Sequence, residues 1–462
     1  MSTTTENSVA GTGAYLIVCV AFLGWLFAGV HMSITQMTAQ PVAIDLLDRM
    51  GQLDAAQLAN MSQRHAKPDA NEPLDEAQVQ LLETWKSAVA SWFTWFQCAF
   101  LFGAAAGGFL FGWLGDRIGR AKAMAASILT YSTLSILSTV AQTPAQFWVV
   151  WFLACTGVGG MWPNGVAIVA EAWSALSRPA LAGVIGTAAN IGIFTMSTIG
   201  TQLAISYDSW RWVMLIGSLP VLLGLLALAL VPESPQWLAL RAPISPTMTA
   251  TQQHSRPSSQ SIELFRPPLL RLTLVAIVLG TVPMIGGWGT ANWMNPWADE
   301  TGNPLLKAQV GQARALAGIA GSIIGGWVAD RLGRRLTYFM ISLGSLLVAE
   351  VIFCSLTPTD RSFLPLVAVL GLFNGLYFGW LPLCIPELFP TRVRATGAGI
   401  GFNSGRLVTA VTLFVSGQVM IYFDGDYSKI GRATSWLFVL GMLGACLAPD
   451  WRRSTEPEKH SS

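Results

Sequence analysis

The chain is a succession of long apolar runs separated by shorter polar segments. A membrane-spanning helix needs about 20 mostly apolar residues, and twelve runs of the 462-residue sequence meet this need. We predict helices at 14–38, 88–114, 122–141, 146–171, 179–205, 211–231, 269–294, 307–329, 335–356, 363–386, 394–421 and 432–449. The pattern therefore predicts an all-α membrane protein with twelve transmembrane helices.

Two long polar segments interrupt the series and define the domain organisation. One lies at about 38–87, between the first two helices, and weak amphipathic patterns at 53–60 and 74–85 predict two short helices that cap the outer face. The other, at about 232–268, separates the sixth helix from the seventh. We therefore expect a six-helix half (1–231), a cytoplasmic linker (232–268), and a second six-helix half with a short cytoplasmic tail (269–462).

Composition supports the membrane assignment and excludes several classes of function. Charged residues make up 11% of the chain and hydrophobic residues 52%, whereas a soluble protein has roughly 25% charged residues. A formal net charge of +2 gives no reason to expect nucleic-acid binding. The six cysteines stand singly in apolar runs, and the sequence has no phosphate-binding loop motif. We therefore expect neither an enzyme nor a bound cofactor or metal.

The distribution of Lys and Arg predicts the orientation of the helices. Basic residues concentrate in the loops that lie on the same side as both termini, including Arg117, Arg120, Arg331 and Arg334. Cytoplasmic loops carry such an excess, so we expect both termini in the cytoplasm and the protein in the plasma (inner) membrane. Residues 1–13 contain no Lys or Arg, so the first helix is expected to be retained rather than cleaved as a signal peptide.

Two internal repeats relate the halves. Gly112-Trp-Leu-Gly-Asp116-Arg117-Ile-Gly-Arg120 recurs as Gly326-Trp-Val-Ala-Asp330-Arg331-Leu-Gly-Arg334, and each copy joins the second and third helices of its half. The second repeat is an acid, a base seven residues later and a polar group twelve residues beyond: Glu171, Arg178 and Asn190, then Glu387, Arg394 and Arg406. Duplicated halves are typical of transporters, which bind substrate between the halves near the bilayer midplane.

These motifs resemble those of the major facilitator superfamily of transporters over nearly the whole chain. Val231-Pro-Glu-Ser-Pro-Gln-Trp-Leu238 is similar to the P-E-S-P-R-W-L signature of sugar porters, with Gln236 in the place of Arg. Pro386-Glu-Leu-Phe-Pro-Thr-Arg-Val-Arg394 and Asn403-Ser-Gly-Arg406 resemble the corresponding region of organic-acid symporters. The resemblance implies two pseudosymmetric six-helix halves that expose a central site to each side of the membrane in turn.

Two departures from the family pattern affect the coupling mechanism. Trp151 and Met161 stand where organic-acid symporters usually have an Arg and an acid in the fourth helix. The first helix, at 24–31, lacks the Asp that those relatives tend to carry. The carboxylates that usually couple transport to protons are therefore absent, and coupling to protons, coupling to sodium and uncoupled transport all stay open.

Arg406 is the strongest candidate for contact with a substrate. It lies twelve residues from Arg394, about 18 Å along a helix, and a charge at such depth costs at least ~2.5 kcal/mol. The sequence places no carboxylate at similar depth in the second half that could pair with Arg406. A guanidinium in this situation is suited to an anionic substrate, which it can bind in bidentate fashion. The alternative is a structural bond from Arg406 to backbone carbonyls or to Asn403.

Other polar or aromatic residues at similar depth are further candidates for solute contact. They are Asn403, Asn190, Asn374, His31, Trp162 and Asn164. The amides serve equally well as bonds between helices, and His31 is either a proton site or a neutral histidine satisfied within the bundle. Arg314, nearer the outside, either recruits anions at the entrance or snorkels to the interface, and Trp288 is a candidate for an outer gate.

The charged residues of the repeated loops are predicted to form a gate. They are Asp116, Arg117, Arg120, Glu171, Arg178, Asp330, Arg331, Arg334, Glu387 and Arg394. Ion pairs between the loop bases and Glu171 or Glu387 would close the cytoplasmic side when the cavity opens outward. The alternative is that these residues are topogenic charges beside tight glycine turns.

The sequence thus predicts a secondary active transporter that moves a small organic solute, with an organic anion (a carboxylate) as the leading class. A sugar transporter of the same fold is the first alternative, and a membrane sensor that binds without transporting is the second. The expected partners are the solute, the lipid bilayer and, if transport is coupled, a proton or a sodium ion. We expect a monomer and no nucleic-acid partner.

Overall fold

The computed structural model describes residues 3–66, 74–172, 178–234, 237–238, 263–303, 305–390, 393–419, 422–423 and 425–449. The regular elements of these ranges are all helices, as the sequence predicts. The first half contains α1 (Thr3–Arg49), α2 (Ala55–Ala66), α3 (Glu76–Ile118), α4 (Arg120–Ser138), α5 (Pro144–Ala172), α6 (Arg178–Gln202), α7 (Arg211–Ser218) and α8 (Val221–Leu230).

The second half repeats this plan with an interrupted first helix. Its helices are α9 (Leu269–Met284), a π-helical segment (Ile285–Thr290), a 3₁₀ turn (Ala291–Trp293), α10 (Met294–Asp299), α11 (Leu306–Leu332), α12 (Arg334–Ser355), α13 (Phe363–Glu387), α14 (Arg394–Val419), α15 (Tyr427–Ser435) and α16 (Phe438–Leu447). Pro283 lacks a backbone N–H, and three glycines follow it at 286, 287 and 289. These residues weaken the regular α-helical pattern at this point.

Eight helical stretches of the described residues are long and apolar enough to cross a membrane. Helices α4, α6, α11 and α14 occupy the four other positions at which the sequence predicts a span. Helices α11 and α14 are rich in Gly and polar residues. Helices α6, α11 and α14 also pack across the boundary between the halves. Helix surfaces at this boundary face protein and not lipid, so they do not need to be apolar.

The segment between the first two predicted spans is more helical than the sequence suggests. Helix α1 has 47 residues, about 70 Å at 1.5 Å per residue, more than twice the thickness of a hydrocarbon core of about 30 Å. Helix α2 covers the first predicted short helix, but the second is the beginning of α3 and not a separate element. Asp75 caps α3 by accepting from the backbone N–H of Gln78, whose side chain bonds back to Asp75. Good helix formers follow without a break, so the helix continues into the membrane.

The two halves meet along two seams. Helix α3 packs on α14, and α6 packs on α11. The first seam needs a glycine, because a Cβ on Gly108 would lie 2.7 Å from Oδ1 of Asn403. At the second seam, Asn190 donates through Nδ2 to Ser322 Oγ at 3.2 Å. Each seam therefore contains a side-chain amide, Asn403 at the first and Asn190 at the second.

Candidate functional site

Arg406 lies on α14 at the seam with α3, with 5% of its surface exposed. Its Nη1 donates to the Ala104 carbonyl of α3 at 3.4 Å and to Asn403 Oδ1 at 3.1 Å. Its guanidinium carbon also lies 4.9 Å from the centre of the Phe402 ring. In the described part of the chain no carboxylate pairs with it. The charge of Arg406 is therefore surrounded by neutral partners.

A row of aromatic rings extends from this cation into the first half. The Trp162 ring of α5 lies 6.0 Å from the Phe402 ring and is nearly parallel to it, and 4.9 Å from the Trp25 ring of α1. We call Arg406, Asn403, Phe402, Trp162 and Trp25 the central cluster. It joins α1, α5 and α14, so that both halves contribute flat apolar surfaces beside a single buried cation.

Four of the predicted contact residues lie apart from the central cluster, and two of them, Asn190 and Asn374, have partners or neighbours in the second half. Asn190 is at the other seam, where it bonds to Ser322 of the opposite half. Asn374 of α13 lies beside Gly287 of the π-helical segment and lines a small cavity with Arg314. The structure therefore gives these two amides different neighbours from those of Arg406.

His31 and Asn164 lie inside the first half. Nδ1 of His31 bonds to the Phe27 carbonyl at 2.9 Å and Nε2 to Ser135 Oγ at 2.8 Å, so both ring nitrogens are engaged. Asn164 is fully buried and donates to the carbonyls of Phe111 and Gly160, both at 2.9 Å. The geometry of both residues fits bonding between helices of one half, and a role in solute contact stays a prediction.

The loop between α3 and α4 is held by residues from two parts of the sequence. Arg120 Nη2 and Asp116 Oδ1 form an ion pair at 2.6 Å, and Arg117 packs over the Trp113 ring. Glu233 caps α4, because its Oε1 accepts from the backbone N–H of Ala121 at 3.1 Å. The segment that resembles the sugar-porter signature therefore docks onto the first repeated loop.

The loop between α11 and α12 is held in a related way. Arg334 pairs with Asp330 and also with Glu387 of α13, at 3.3 Å between Nε and Oε2. Arg331 packs over the Trp327 ring, as Arg117 does over Trp113. The ion pair expected between a loop base and Glu387 is present within the second half, and its role as a gate stays a prediction. The side chains of Glu171, Arg178 and Arg394 lie outside the described residues.

Phe402 and Trp25 are not among the site residues predicted from the sequence. Phe402 lies four residues before Arg406, a spacing that places two side chains next to each other on a helix, and this signal could have identified it. No local pattern marks Trp25, since its contact with Trp162 depends on how α1 packs against α5.

Comparisons with known proteins agree with the geometry of two related halves. A family model described as Major Facilitator Superfamily matches residues 78–413. The cis,cis-muconate transport protein of Acinetobacter baylyi is 30% identical over 318 residues, which cover 67% of this chain and 74% of that protein. A putative metabolite transport protein of Haemophilus influenzae is 29% identical over 348 residues, or 74% of this chain and 83% of that protein.

The fold is also similar to that of solved transporters. The inward-open structure of the xylose transporter XylE from E. coli matches with a TM-score of 0.65 and 18% identity, over 97% of this chain and 98% of that one. The predicted twelve-helix fold of two six-helix halves is thereby confirmed.

Proposed function

The chain belongs to the Major Facilitator Superfamily, and we propose that it moves a small organic anion, a carboxylate, across the membrane by alternating access. The predictions of a multi-pass membrane protein and of a transporter rather than an enzyme are confirmed by this membership and by the relatives. The substrate class and the transport cycle are the proposal. The muconate transport protein among the relatives supports the choice of a carboxylate.

The observation that carries the proposal is the environment of Arg406. A guanidinium in the hydrocarbon region is expensive unless a partner compensates its charge, and the described partners of Arg406 are a carbonyl, an amide oxygen and a ring. A substrate carboxylate would supply the missing negative charge and accept two parallel hydrogen bonds from the guanidinium. Trp162 and Phe402 would pack against the apolar body of the substrate.

The position of Arg406 at a seam connects binding with movement. Its contacts with Ala104 and the stacking of Phe402 on Trp162 cross from one half to the other. A rocking motion of the halves must change these contacts, so that a ligand bound at Arg406 affects the balance between the two conformations. We also propose that the protein lies in the plasma (inner) membrane with both termini in the cytoplasm. The central site would then open to the cytoplasm and to the opposite side of the membrane in turn.

The test combines binding with transport. Thermal unfolding of the purified protein is measured with benzoate, cis,cis-muconate and D-xylose, because ligand at 100 times its Kd stabilises the folded state by ~2.7 kcal/mol. Uptake of the stabilising compound is then measured in sealed proteoliposomes. We expect a carboxylate to stabilise and to be transported, and both effects to disappear in Arg406→Ala. Arg406→Lys should recover part of the binding, since it restores the charge without the bidentate geometry.

Arg361→Ala is the matched control, because Arg361 is an exposed arginine of the loop before α13. It should bind and transport as the unmodified protein does. If D-xylose alone stabilises the protein, and stabilises Arg406→Ala to the same extent, the proposed substrate class would be a sugar and not a carboxylate. If a carboxylate binds but is not taken up, the proposed function would be that of a sensor and not that of a transporter.

A further inference from the structure

A small cavity lies inside the second half, separate from the central cluster. Arg314, Asn374, Ser345 and Tyr377 supply its polar lining, and Leu370 and Phe438 are among its apolar walls. About 10 Å³ of it is open to the centre of a water-sized sphere. Such a volume holds one species of about the size of a water molecule. The cavity is therefore too small for an organic solute and offers room for a single small species.

Arg314 brings a positive charge to this cavity. Its Nη2 donates to the Gly287 carbonyl at 3.1 Å and its Nη1 to the Ala291 carbonyl at 3.3 Å. These carbonyls belong to the interrupted part of the helix that follows Pro283, and they are neutral. Arg314 lies eight residues from the beginning of α11, about 12 Å along the helix, so its charge is within the membrane and needs compensation.

Two acids of the second half, Asp299 and Glu350, pair with other bases. Asp299 Oδ2 lies 3.4 Å from Nζ of Lys307. Glu350, on α12, pairs with Arg432 at 3.1 Å and accepts from Ser435. Among the described residues, Arg314 forms no ion pair with a carboxylate. A bound anion would supply the negative charge that these residues do not provide.

The remaining polar lining offers hydrogen-bond donors. Asn374 makes no hydrogen bond to any described residue, so its NH₂ group is available to a ligand. Ser345, with 1% of its surface exposed, adds a hydroxyl that lies beside the Tyr377 hydroxyl and bonds to it, and the Tyr377 hydroxyl also bonds to Ser342 at 2.7 Å. A guanidinium, an amide NH₂ and a hydroxyl with no carboxylate make a donor set that suits an anion. A water molecule would satisfy the hydrogen bonds but leave the charge of Arg314 uncompensated.

We propose that this cavity binds one chloride ion, held by Arg314, Asn374 and Ser345. Chloride is a monatomic anion, and a carboxylate with its organic body would exceed the cavity. The bound ion would compensate the charge of Arg314 and so hold α11 against the π-helical segment. This segment includes Trp288, whose ring stacks on Phe100 of α3 at 4.4 Å between centroids. Chloride would therefore stabilise a contact between the halves that is distinct from the central cluster.

The test replaces chloride by methanesulfonate at constant sodium concentration and ionic strength. Thermal unfolding and binding of radioactive chloride are measured for the purified protein and for Arg314→Gln, Asn374→Leu, Arg406→Ala and Arg361→Gln. We expect chloride to raise the unfolding temperature saturably and to bind with a stoichiometry near one. Both effects should disappear in Arg314→Gln, weaken at least several-fold in Asn374→Leu, and persist in the other two variants.

The variants separate this proposal from the proposed function. Loss of benzoate binding with retention of chloride binding in Arg406→Ala would support two separate anion sites. Equal unfolding temperatures in chloride and methanesulfonate, without bound radioactive chloride, would overturn the chloride proposal and leave the carboxylate proposal intact. Chloride binding that survives in Arg314→Gln would also overturn it. Loss of benzoate binding in Arg314→Gln without any effect of chloride would overturn the chloride proposal and make Arg314 a residue that supports substrate binding.

Discussion

The rings of Trp162 and Phe402 lie 6.0 Å apart with 24° between their planes, and they belong to opposite halves of the protein. The Phe402 ring also contacts Arg406, whose guanidinium carbon is 4.9 Å from the centre of the ring. One aromatic side chain therefore touches both the buried cation and the opposite half. This position makes Phe402 the residue through which binding at Arg406 is expected to depend on how the halves are arranged.

Removing this ring should weaken the binding of carboxylates. A cation–π contact contributes about 0.5–2 kcal/mol, so Phe402→Ala should weaken benzoate binding about 2- to 30-fold. Phe402→Trp keeps an aromatic face and should retain most of the affinity. Isothermal titration of the purified variants with benzoate measures the effect.

The matched control for this prediction is Phe414→Ala. Phe414 lies on the same helix and packs edge to face against Trp95, with 4.9 Å between the ring centres, but it has no contact with Arg406 among the described residues. It should bind benzoate as the unmodified protein does. Equal losses in Phe402→Ala and Phe414→Ala would show that a general loss of packing, and not the contact with the cation, weakens binding.

A second prediction concerns the carbonyl that accepts from Arg406. A Cβ on Gly159 would lie 1.9 Å from the Ala104 oxygen, so α3 and α5 must move apart in Gly159→Ala. Overpacking of this kind costs about 1–3 kcal/mol, and the displaced carbonyl should also weaken benzoate binding. Gly112→Ala is the control, because its Cβ would meet nothing within 4 Å and helix propensity favours Ala by up to about 1 kcal/mol. The unfolding temperature should fall in Gly159→Ala and not in Gly112→Ala. A comparable fall in both variants would contradict the packing argument.

The fold could be predicted from sequence to a large extent, because each span must satisfy its own backbone hydrogen bonds and be apolar enough for lipid. That requirement is local, and so the positions of the helices followed from runs of apolar residues. The ends of α1 and α3 were less predictable, since a helix that leaves the membrane no longer needs apolar residues. The continuation of α3 depends on the cap at Asp75 and on helix-forming residues after it.

The candidate site was predictable only in part. The depth of Arg406 followed from its distance to Arg394 along one helix. The environment of His31 depends on which face of α1 packs against the other helices of the first half. In the structure this face meets α4, and Ser135 of α4 bonds to Nε2 of His31. The cavity beside Arg314 requires α11, α13 and the π-helical segment to be placed together, and no single stretch of sequence contains that information.

Glu233 should stabilise the beginning of α4. Its Oε1 accepts from the backbone N–H groups of Ala121 and Ser234 at 3.1 and 3.0 Å, and loss of an N-terminal cap costs about 0.5–2 kcal/mol. We expect Glu233→Ala to lower the unfolding temperature and Glu233→Gln, which keeps an acceptor oxygen, to lower it less. Thermal unfolding in detergent measures both. Glu233→Ala as stable as the unmodified protein would show that the observed bonds do not hold the loop.

The last prediction separates gating from stability at the repeated loop. Asp116 pairs with Arg120 at 2.6 Å, but its side chain is 67% exposed, so its contribution to folding should not exceed about 1 kcal/mol. If the pair forms and breaks during transport, Asp116→Asn should reduce the rate of benzoate uptake several-fold with little change in binding. Glu76→Gln removes an exposed carboxylate from the opposite end of the same helix and should transport normally. Uptake in proteoliposomes and titration of the same preparations give the two quantities, and equal uptake by both variants would assign Asp116 to topology alone.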